Sequence, residues 1–275
     1  MPELPETETI ARDLDRALAG AIIVGVKVWR ADVLREITAR TLARRVTGAA
    51  FVRSSRRAKA VVLELGTGDR IVVQPRFTGA LLVDDGNLPE REIRFITLSF
   101  ALSDGRSLAY RDIRRLGTVA LMSPARFATF ESNLGAEPLD RAFTATHLSG
   151  ILRDSRQAVK KLLMDQRRIA GVGNIYANES LWRAGIDPSR PARTITKAEA
   201  ERLHEGLTSV LRESIDARGT SFRDYRDASG ERGAFASQLS VYGRGGERCH
   251  RCGAALIDTS AIDGRTTVFC ARCQR

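Results

Sequence analysis

Cysteine is missing from residues 1–248 of this 275-residue chain, and all four cysteines stand between positions 249 and 273. A chain without cysteine over most of its length is not a disulfide-laced scaffold, and the compartment it fits is a reducing one. Aromatic residues are scarce at 6%, with two tryptophans. That composition argues against a single-strand binder built on stacking platforms. No apolar run approaches the length needed to cross a bilayer. The chain does not open on the charged-then-apolar pattern of a secretory leader, so a cytoplasmic setting is expected. No segment pairs a clustered basic face with a bulky apolar one, which ranks a membrane surface well below other polyanions as a partner. Internal repeats are also lacking.

Acidic charge is in the minority. Asp plus Glu number 33 against 44 Lys plus Arg, for a net charge of +11. The isoelectric point is near 10.2. An excess of that size favours a polyanionic partner, nucleic acid first. Arginine carries most of it, and its planar fork suits phosphate. Hydrophobic residues at 43% and charged residues at 28% are ordinary for a globular protein. The length predicts two domains with a sizeable core in each.

The cysteines form two pairs, Cys249-His-Arg-Cys252 and Cys270-Ala-Arg-Cys273. This is the spacing of a structural zinc site. Four thiolates close a tetrahedron around Zn²⁺ and leave no open position, so one structural zinc ion is predicted. His250 could replace a cysteine as ligand, but a solvent-facing place in the finger is the expectation.

Residues 5–19 read as a helix. Pro5 suits its first turn, Glu6 and Glu8 suit the positive end of the dipole, and Ile10, Leu14, Ala17 and Leu18 recur at helical spacing. From Ala21 to Met122 the chain breaks into short β-rich runs at 22–29, 46–52, 60–65, 70–73, 80–83, 93–100 and 118–122, with turn signals between them. Such spacing predicts an antiparallel sandwich or barrel. Beyond Pro124 the pattern is helical at 144–153, 157–164, 174–184 and 197–217, with Thr196 and Glu199 as a capping box for the last. Residues 219–238 are rich in Gly, Ser, Arg and Asp and read as a long exposed loop. The fold class expected is α+β. It comprises an N-terminal β-sandwich over 1–130, a helical domain with this loop over 131–238, and a zinc hairpin over 239–275.

Candidate chemistry sits at three places. The chain begins Met1-Pro2-Glu3-Leu4-Pro5-Glu6. The plain reading is a polar lead into a helix. The sharper one is that removal of Met1 would expose the secondary amine of Pro2. Such an amine can attack C1′ of a deoxyribose and form a Schiff base, with Glu3 as general acid or base. Gly171-Val-Gly173-Asn174-Ile-Tyr176 places glycines before a helix start, where free N–H groups can meet a phosphate. A plain joint between helices with an asparagine cap explains it equally well. Arg56-Arg57-Ala-Lys59, Arg114-Arg115 and Arg265 are basic points that in isolation read as solvated surface.

Taken in order along the chain, these pieces resemble one family. Pro2–Glu6, Arg57-Ala-Lys59, Leu134-Gly-Ala-Glu-Pro-Leu139, Leu163-Met-Asp165, Gly171–Ala177, Val241-Tyr-Gly-Arg-Gly-Gly246 and the four-cysteine finger look like formamidopyrimidine-DNA glycosylase over the whole length. The resemblance implies an N-terminal β-sandwich, a helix–two-turn–helix domain and a zinc finger, acting on double-stranded DNA as a monomer in a bacterial cytoplasm. Pro2 would be the nucleophile, Glu3 the acid/base, and Glu6 a support. Lys59, Asn174 and Arg265 would hold phosphates beside the lesion, and Lys160 would lie near the damaged nucleotide. The Schiff base would pass through β- and δ-elimination. Arg114, beside Arg115, would face the orphaned cytosine. Relatives fill the vacated stack with an aromatic and a methionine. Here Leu116 and Phe77 take those places, and Gln74 replaces a nearby histidine. Leucine and phenylalanine both serve as wedges. The loop at 219–238, with Thr220, Ser221 and Tyr225, favours oxidised purines, since a loop at this place closes over the everted base.

Other classes remain at this point. An endonuclease VIII-like glycosylase would take oxidised pyrimidines. A non-catalytic damaged-DNA-binding protein would bind with strong salt dependence and form no covalent intermediate. A ribosomal or transcription zinc protein would explain the finger and charge but not the amino-terminal motif.

Overall fold

The computed structural model describes residues 2–221 and 225–275. The chain divides into two compact units, one of residues 1–132 and 217–236 and the other of 133–216 and 237–275.

The first unit opens with α1 (Leu4–Leu18) and β1 (Ile23–Val28), then α2 (Ala39–Val46), β2 (Phe51–Arg57), β3 (Ala60–Leu65), β4 (Arg70–Gln74) and β5 (Gly79–Asp84). A single turn, α3 (Glu90–Ile93), precedes β6 (Ile96–Leu102), β7 (Ser107–Asp112), β8 (Thr118–Met122) and α4 (Pro124–Ser132). The strands make two four-stranded antiparallel sheets, ordered β1-β6-β7-β5 and β2-β3-β4-β8. Their inner faces share one core. Ile23, Leu81, Phe100 and Tyr110 come from the first sheet, Phe51, Leu63, Ile71 and Val119 from the second, and Ile10, Leu14 and Leu18 of α1 join them. This is the expected sandwich.

The β3 sequence Ala-Val-Val-Leu-Glu-Leu is nearly all apolar because both of its faces are covered. Val61, Leu63 and Leu65 enter the main core, while Ala60 and Val62 join Val72, Met122 and Phe127 under α4. Two elements differ from the sequence reading. Residues 39–46 form α2, capped by the Thr38 hydroxyl, so the run read as a strand from 46 begins only at Phe51. Strand β7 was not among the expected runs. Its residues Leu108 to Asp112 are all buried, so the alternation that marks a half-exposed strand is lacking.

The second unit holds α5 (Ala145–Arg153), α6 (Val159–Leu163), α7 (Asn174–Ala184) and α8 (Lys197–Asp216), followed by the hairpin β9 (Ile257–Thr259) and β10 (Thr267–Phe269). Helix α8 starts with Thr196 and Glu199 in the expected reciprocal cap. Helix α7 ends at Gly185 in the left-handed conformation. Among the described residues, no helix is long and apolar enough to cross a membrane.

The expectation of an exposed loop over 219–238 is corrected. Thr220, Tyr225, Asp227, Ala228 and Phe235 are buried, and Tyr225 and Ala228 belong to the sandwich core. Residues 217–236 pack as part of the first unit, not with the helices that precede them in sequence. The polar composition that reads as solvent-facing is satisfied internally. For example, the Asp227 carboxylate accepts the N–H groups of Ser229 and Glu231.

Candidate active site and nucleic-acid interface

Pro2 is buried at the mouth of α1. Glu3 occupies the N-cap, and Glu6 reaches back so that its Oε2 accepts the Glu3 N–H at 2.8 Å. The other oxygen of Glu6 accepts the Thr220 N–H at 2.8 Å. Both carboxylates are almost wholly buried, Glu3 at 2% and Glu6 at 1% exposure. The Tyr225 hydroxyl donates to the Glu6 carbonyl, and burial together with the charge of Glu6 pushes its phenol far up. Two carboxylates and a secondary-amine residue are therefore gathered at one helix start. The expectation that Met1 is removed falls on a residue outside the described ones, as do positions 222–224 of the loop.

Lys59 sits in the two-residue turn between β2 and β3, preceded by Ala58 in the left-handed region. Arg56 ties this end of β2 to the first turns of α1 through Glu8 at 2.9 Å.

Arg114, Leu116 and Phe77 lie on two neighbouring loops of the same unit, all exposed. The Arg114 guanidinium lies 5.2 Å from the centre of the Phe77 ring. The loops are joined by residues the sequence did not single out. Asp112 accepts from the Thr78 hydroxyl, the Tyr110 hydroxyl and the Gly117 N–H, and Thr78 in turn accepts the Arg114 N–H at 3.0 Å. Gly117 is required here, since a Cβ would lie 1.9 Å from the Tyr110 hydroxyl. Arg115, in the left-handed region, pairs with Asp32 at 3.0 Å.

In the second unit, Gly173 is the N-cap of α7 and Asn174 its first residue, so the asparagine is not the cap. The Asn174 amide donates to the Thr266 carbonyl at 2.9 Å. Gln166 holds the preceding turn, accepting the Gly171 N–H and donating to the Val172 carbonyl. Arg265 is exposed at the tip of the β9–β10 hairpin, beside a cavity of about 420 Å³ lined also by Lys161, Met164 and Arg167.

Lys160 differs from the expectation. It is fully buried, and its Nζ meets the Thr267 hydroxyl at 2.7 Å, the Thr266 carbonyl at 3.3 Å and the Asp263 carboxylate at 3.3 Å. A side chain enclosed in this way presents no donor to a nucleotide. It fastens the hairpin that carries Arg265.

The four cysteine sulfurs lie within 4.8 Å of one another, with Cys249 to Cys273 at 4.0 Å and Cys252 to Cys270 at 3.5 Å. Tetrahedral zinc with sulfur ligands at about 2.3 Å needs sulfur pairs about 3.8 Å apart, so the donor set fits. Burial raises the Cys249 thiol, but the backbone N–H groups of Arg251 and Cys252 outweigh it and bring it down to about 6. Burial and then the neighbouring sulfurs push Cys273 up to about 12. A dication resolves that conflict by taking all four as thiolates. The four thiols suit one structural zinc ion. His250 is exposed, with its Nδ1 near Arg244. Sequence reasoning passed over Glu179, a buried carboxylate that accepts the N–H groups of Ser240, Val241 and Tyr242 and so anchors the lead into the finger.

Comparison with known proteins agrees across the chain. Residues 1–119 match the formamidopyrimidine-DNA glycosylase N-terminal domain, 134–226 its H2TH domain, and 246–275 the zinc finger found in FPG and IleRS. Formamidopyrimidine-DNA glycosylase of Desulforamulus reducens is 38% identical, covering 100% of this chain and 99% of the relative. That of Thermomicrobium roseum is 40% identical at the same coverage. Among solved structures, a Lactococcus lactis FPG mutant bound to Fapy-dG-containing DNA superposes with a TM-score of 0.91 at 30% identity over 100% of both chains. The same enzyme with abasic-site DNA gives 0.91 over 99% of each. The amino-terminal cap, the Gly-Val-Gly-Asn turn and the four-thiol centre thus occur together in one fold, and the chain belongs to the formamidopyrimidine-DNA glycosylase family.

Proposed function

We propose that this protein is a bifunctional DNA glycosylase and abasic-site lyase of base excision repair, acting on oxidised purines such as 8-oxoguanine and formamidopyrimidines. The observation that carries the reading is the buried cluster of Pro2, Glu3 and Glu6, with Glu6 spanning from the Glu3 N–H to the Thr220 N–H.

With Met1 removed, the Pro2 nitrogen attacks C1′ and the glycosidic bond breaks, the base leaving with a proton. Glu3 protonates the ring oxygen as the sugar opens to an iminium. Loss of a C2′ proton expels the 3′ phosphate, and a second elimination expels the 5′ phosphate. Lys59, Asn174 and Arg265 hold the flanking phosphates, where positive charge also favours the departing anions. The base leaves the stack before reaction, and Arg114, Leu116 and Phe77 occupy its place. The exposure of these three and the Arg114–Phe77 contact support that role. Lys160 acts at one remove, by holding the hairpin of Arg265. Zinc holds the finger and takes no part in the chemistry. In order along the chain, the domain plan is a catalytic sandwich over 1–130, a helix–two-turn–helix stretch over 131–238 whose residues 217–236 pack with the sandwich, and a finger over 239–275. Residues 217–236 are built into the catalytic unit and cover the everted base. A monomer in a bacterial cytoplasm is the setting we infer.

A second reading keeps the chemistry and changes the lesion. The Lactococcus lactis enzyme has also been solved with DNA containing an oxidised pyrimidine, at a TM-score of 0.90 and 29% identity to this chain. Borohydride trapping of the Met1-processed protein on an 8-oxoguanine·cytosine duplex separates the cases. An adduct at Pro2 supports the purine reading. An adduct only with an oxidised pyrimidine moves the chain to the second. Failure to trap even an abasic site would refute the lyase and favour a binding protein.

A further inference from the structure

We propose that Arg218 is a positioning residue for base removal. It clamps the 217–236 segment onto α1 and so keeps the Thr220 N–H on Glu6. The inference rests on the reading above that this segment covers the everted base.

Arg218 and Gly219 are both in the left-handed region, with φ of 60° and 87°. A non-glycine residue persists there only where its surroundings over-determine it. Its guanidinium supplies that constraint. Nε donates to the Asp227 carboxylate at 2.9 Å, and Nη2 donates at 2.5 Å to both Asp227 and Asp13. Asp13 lies on α1, and its second oxygen pairs with Arg16 at 2.6 Å. Asp227 is fully buried, and its remaining oxygen holds the 227–231 turn through the Ser229 and Glu231 N–H groups. One guanidinium therefore joins the catalytic helix, the entry of the segment and its central turn.

The segment has little slack beyond the clamp. A Cβ on Gly219 would stand 3.0 Å from the Glu6 Cγ and 3.0 Å from the Tyr225 ring, and one on Gly233 would stand 2.2 Å from the Gly219 carbonyl. The Val83 N–H donates to the Ala228 carbonyl, fixing the far side to β5. Glu6 bonds the Glu3 N–H within the local cap of α1 and the Thr220 N–H with its other oxygen, so loss of the Thr220 bond frees the segment while the residue next to Pro2 keeps its support. Release of Arg218 loosens a cover that matters when a base is present and is idle when the base is already gone.

The test compares wild type with R218M, R218K and D13N in single-turnover excision of 8-oxoguanine and incision of an abasic duplex. The structure predicts that R218M slows excision about tenfold and leaves abasic incision within about twofold. D13N, which keeps the Asp227 half, shows the same split at smaller size. R218K restores part of the loss, since it keeps the charge but not the fork. Excision within about twofold of wild type, or equal loss of both activities, overturns the proposal. Hydrogen exchange on the free proteins reads the clamp without DNA. R218M must expose the amides of 217–221 and 225–236 while the sandwich strands keep their protection, and unchanged protection there overturns the clamp. A wild type inert on both duplexes refutes the lyase reading instead, and exchange still decides the clamp.

Discussion

Replacing Lys160 by methionine tests whether a buried cation organises the DNA-binding surface from beneath. Methionine keeps much of the apolar stem, so the change removes the ammonium and little volume. What remains is the Asp263 carboxylate, 3% exposed, with the Arg265 N–H as a donor at 3.0 Å. Breaking one side of a buried pair costs about 3–5 kcal/mol, and the 3.3 Å separation of this pair places the cost near the lower figure. Removing both charges costs much less, because no unpaired ion is left. K160M with D263N is therefore expected to recover about 2 kcal/mol of the single-mutant loss. The assay is urea unfolding followed by Trp182 fluorescence in a W29F background, which confines the signal to the second unit. DNA affinity of K160M falls through a loosened hairpin, but the dependence of log affinity on log salt keeps its slope. A lysine touching phosphate directly would lower that slope by about one. Destabilisation below about 1 kcal/mol, no recovery in the double variant, or a reduced slope would refute the reasoning.

Three further outcomes are expected. One zinc per chain should be found by elemental analysis, and its removal by a strong chelator should lower DNA affinity and lyase activity together; full activity in verified zinc-free protein would sink the structural role. Arg114→Ala should lose the preference for cytosine opposite the lesion, by about tenfold, as expected for loss of one good base contact; a wild type that cuts equally opposite cytosine and adenine removes the basis for this role. Glu199 is held down to about 2, from an ordinary 4.5, chiefly by hydrogen bonds from Arg190. Its folded value is below its unfolded one, so the stabilisation is complete above about pH 4.5 and is lost as pH falls toward 2. Glu199→Gln should therefore cost about 1 kcal/mol at pH 7, after allowance for solvent screening, and nothing near pH 2. An equal loss at both would contradict the pairing.

Elements carried by short-range chemistry were legible without coordinates. The cysteine spacing is one, because four ligands for one ion need two tight turns and little else. Helix α1 with its early proline and glutamates is another, and so is the Thr196–Glu199 cap. The family resemblance rested on such local runs and covered the chain from end to end. The strands of the sandwich were mostly readable from their β-rich runs and turn residues. Strand β7 was not, because burial on both faces erases the alternation that gives a strand away. The junction of α2 and β2 was misplaced because Val46 ends an amphipathic turn and also looks like the start of a β-run.

What only the tertiary structure decided was the fate of polar residues. Lys160, Glu179 and Asp112 are charged by sequence and buried in fact, each with a partner distant in sequence, and Asp227 is buried by a turn and an arginine within nine residues of it. The 217–236 segment has the composition of a solvated loop, yet Arg218, Tyr225 and Thr220 fasten it to α1. Composition determined that this protein meets a polyanion and holds a metal. Which charges face that polyanion, and which hold the fold beneath it, depends on long-range contacts that no window of sequence contains.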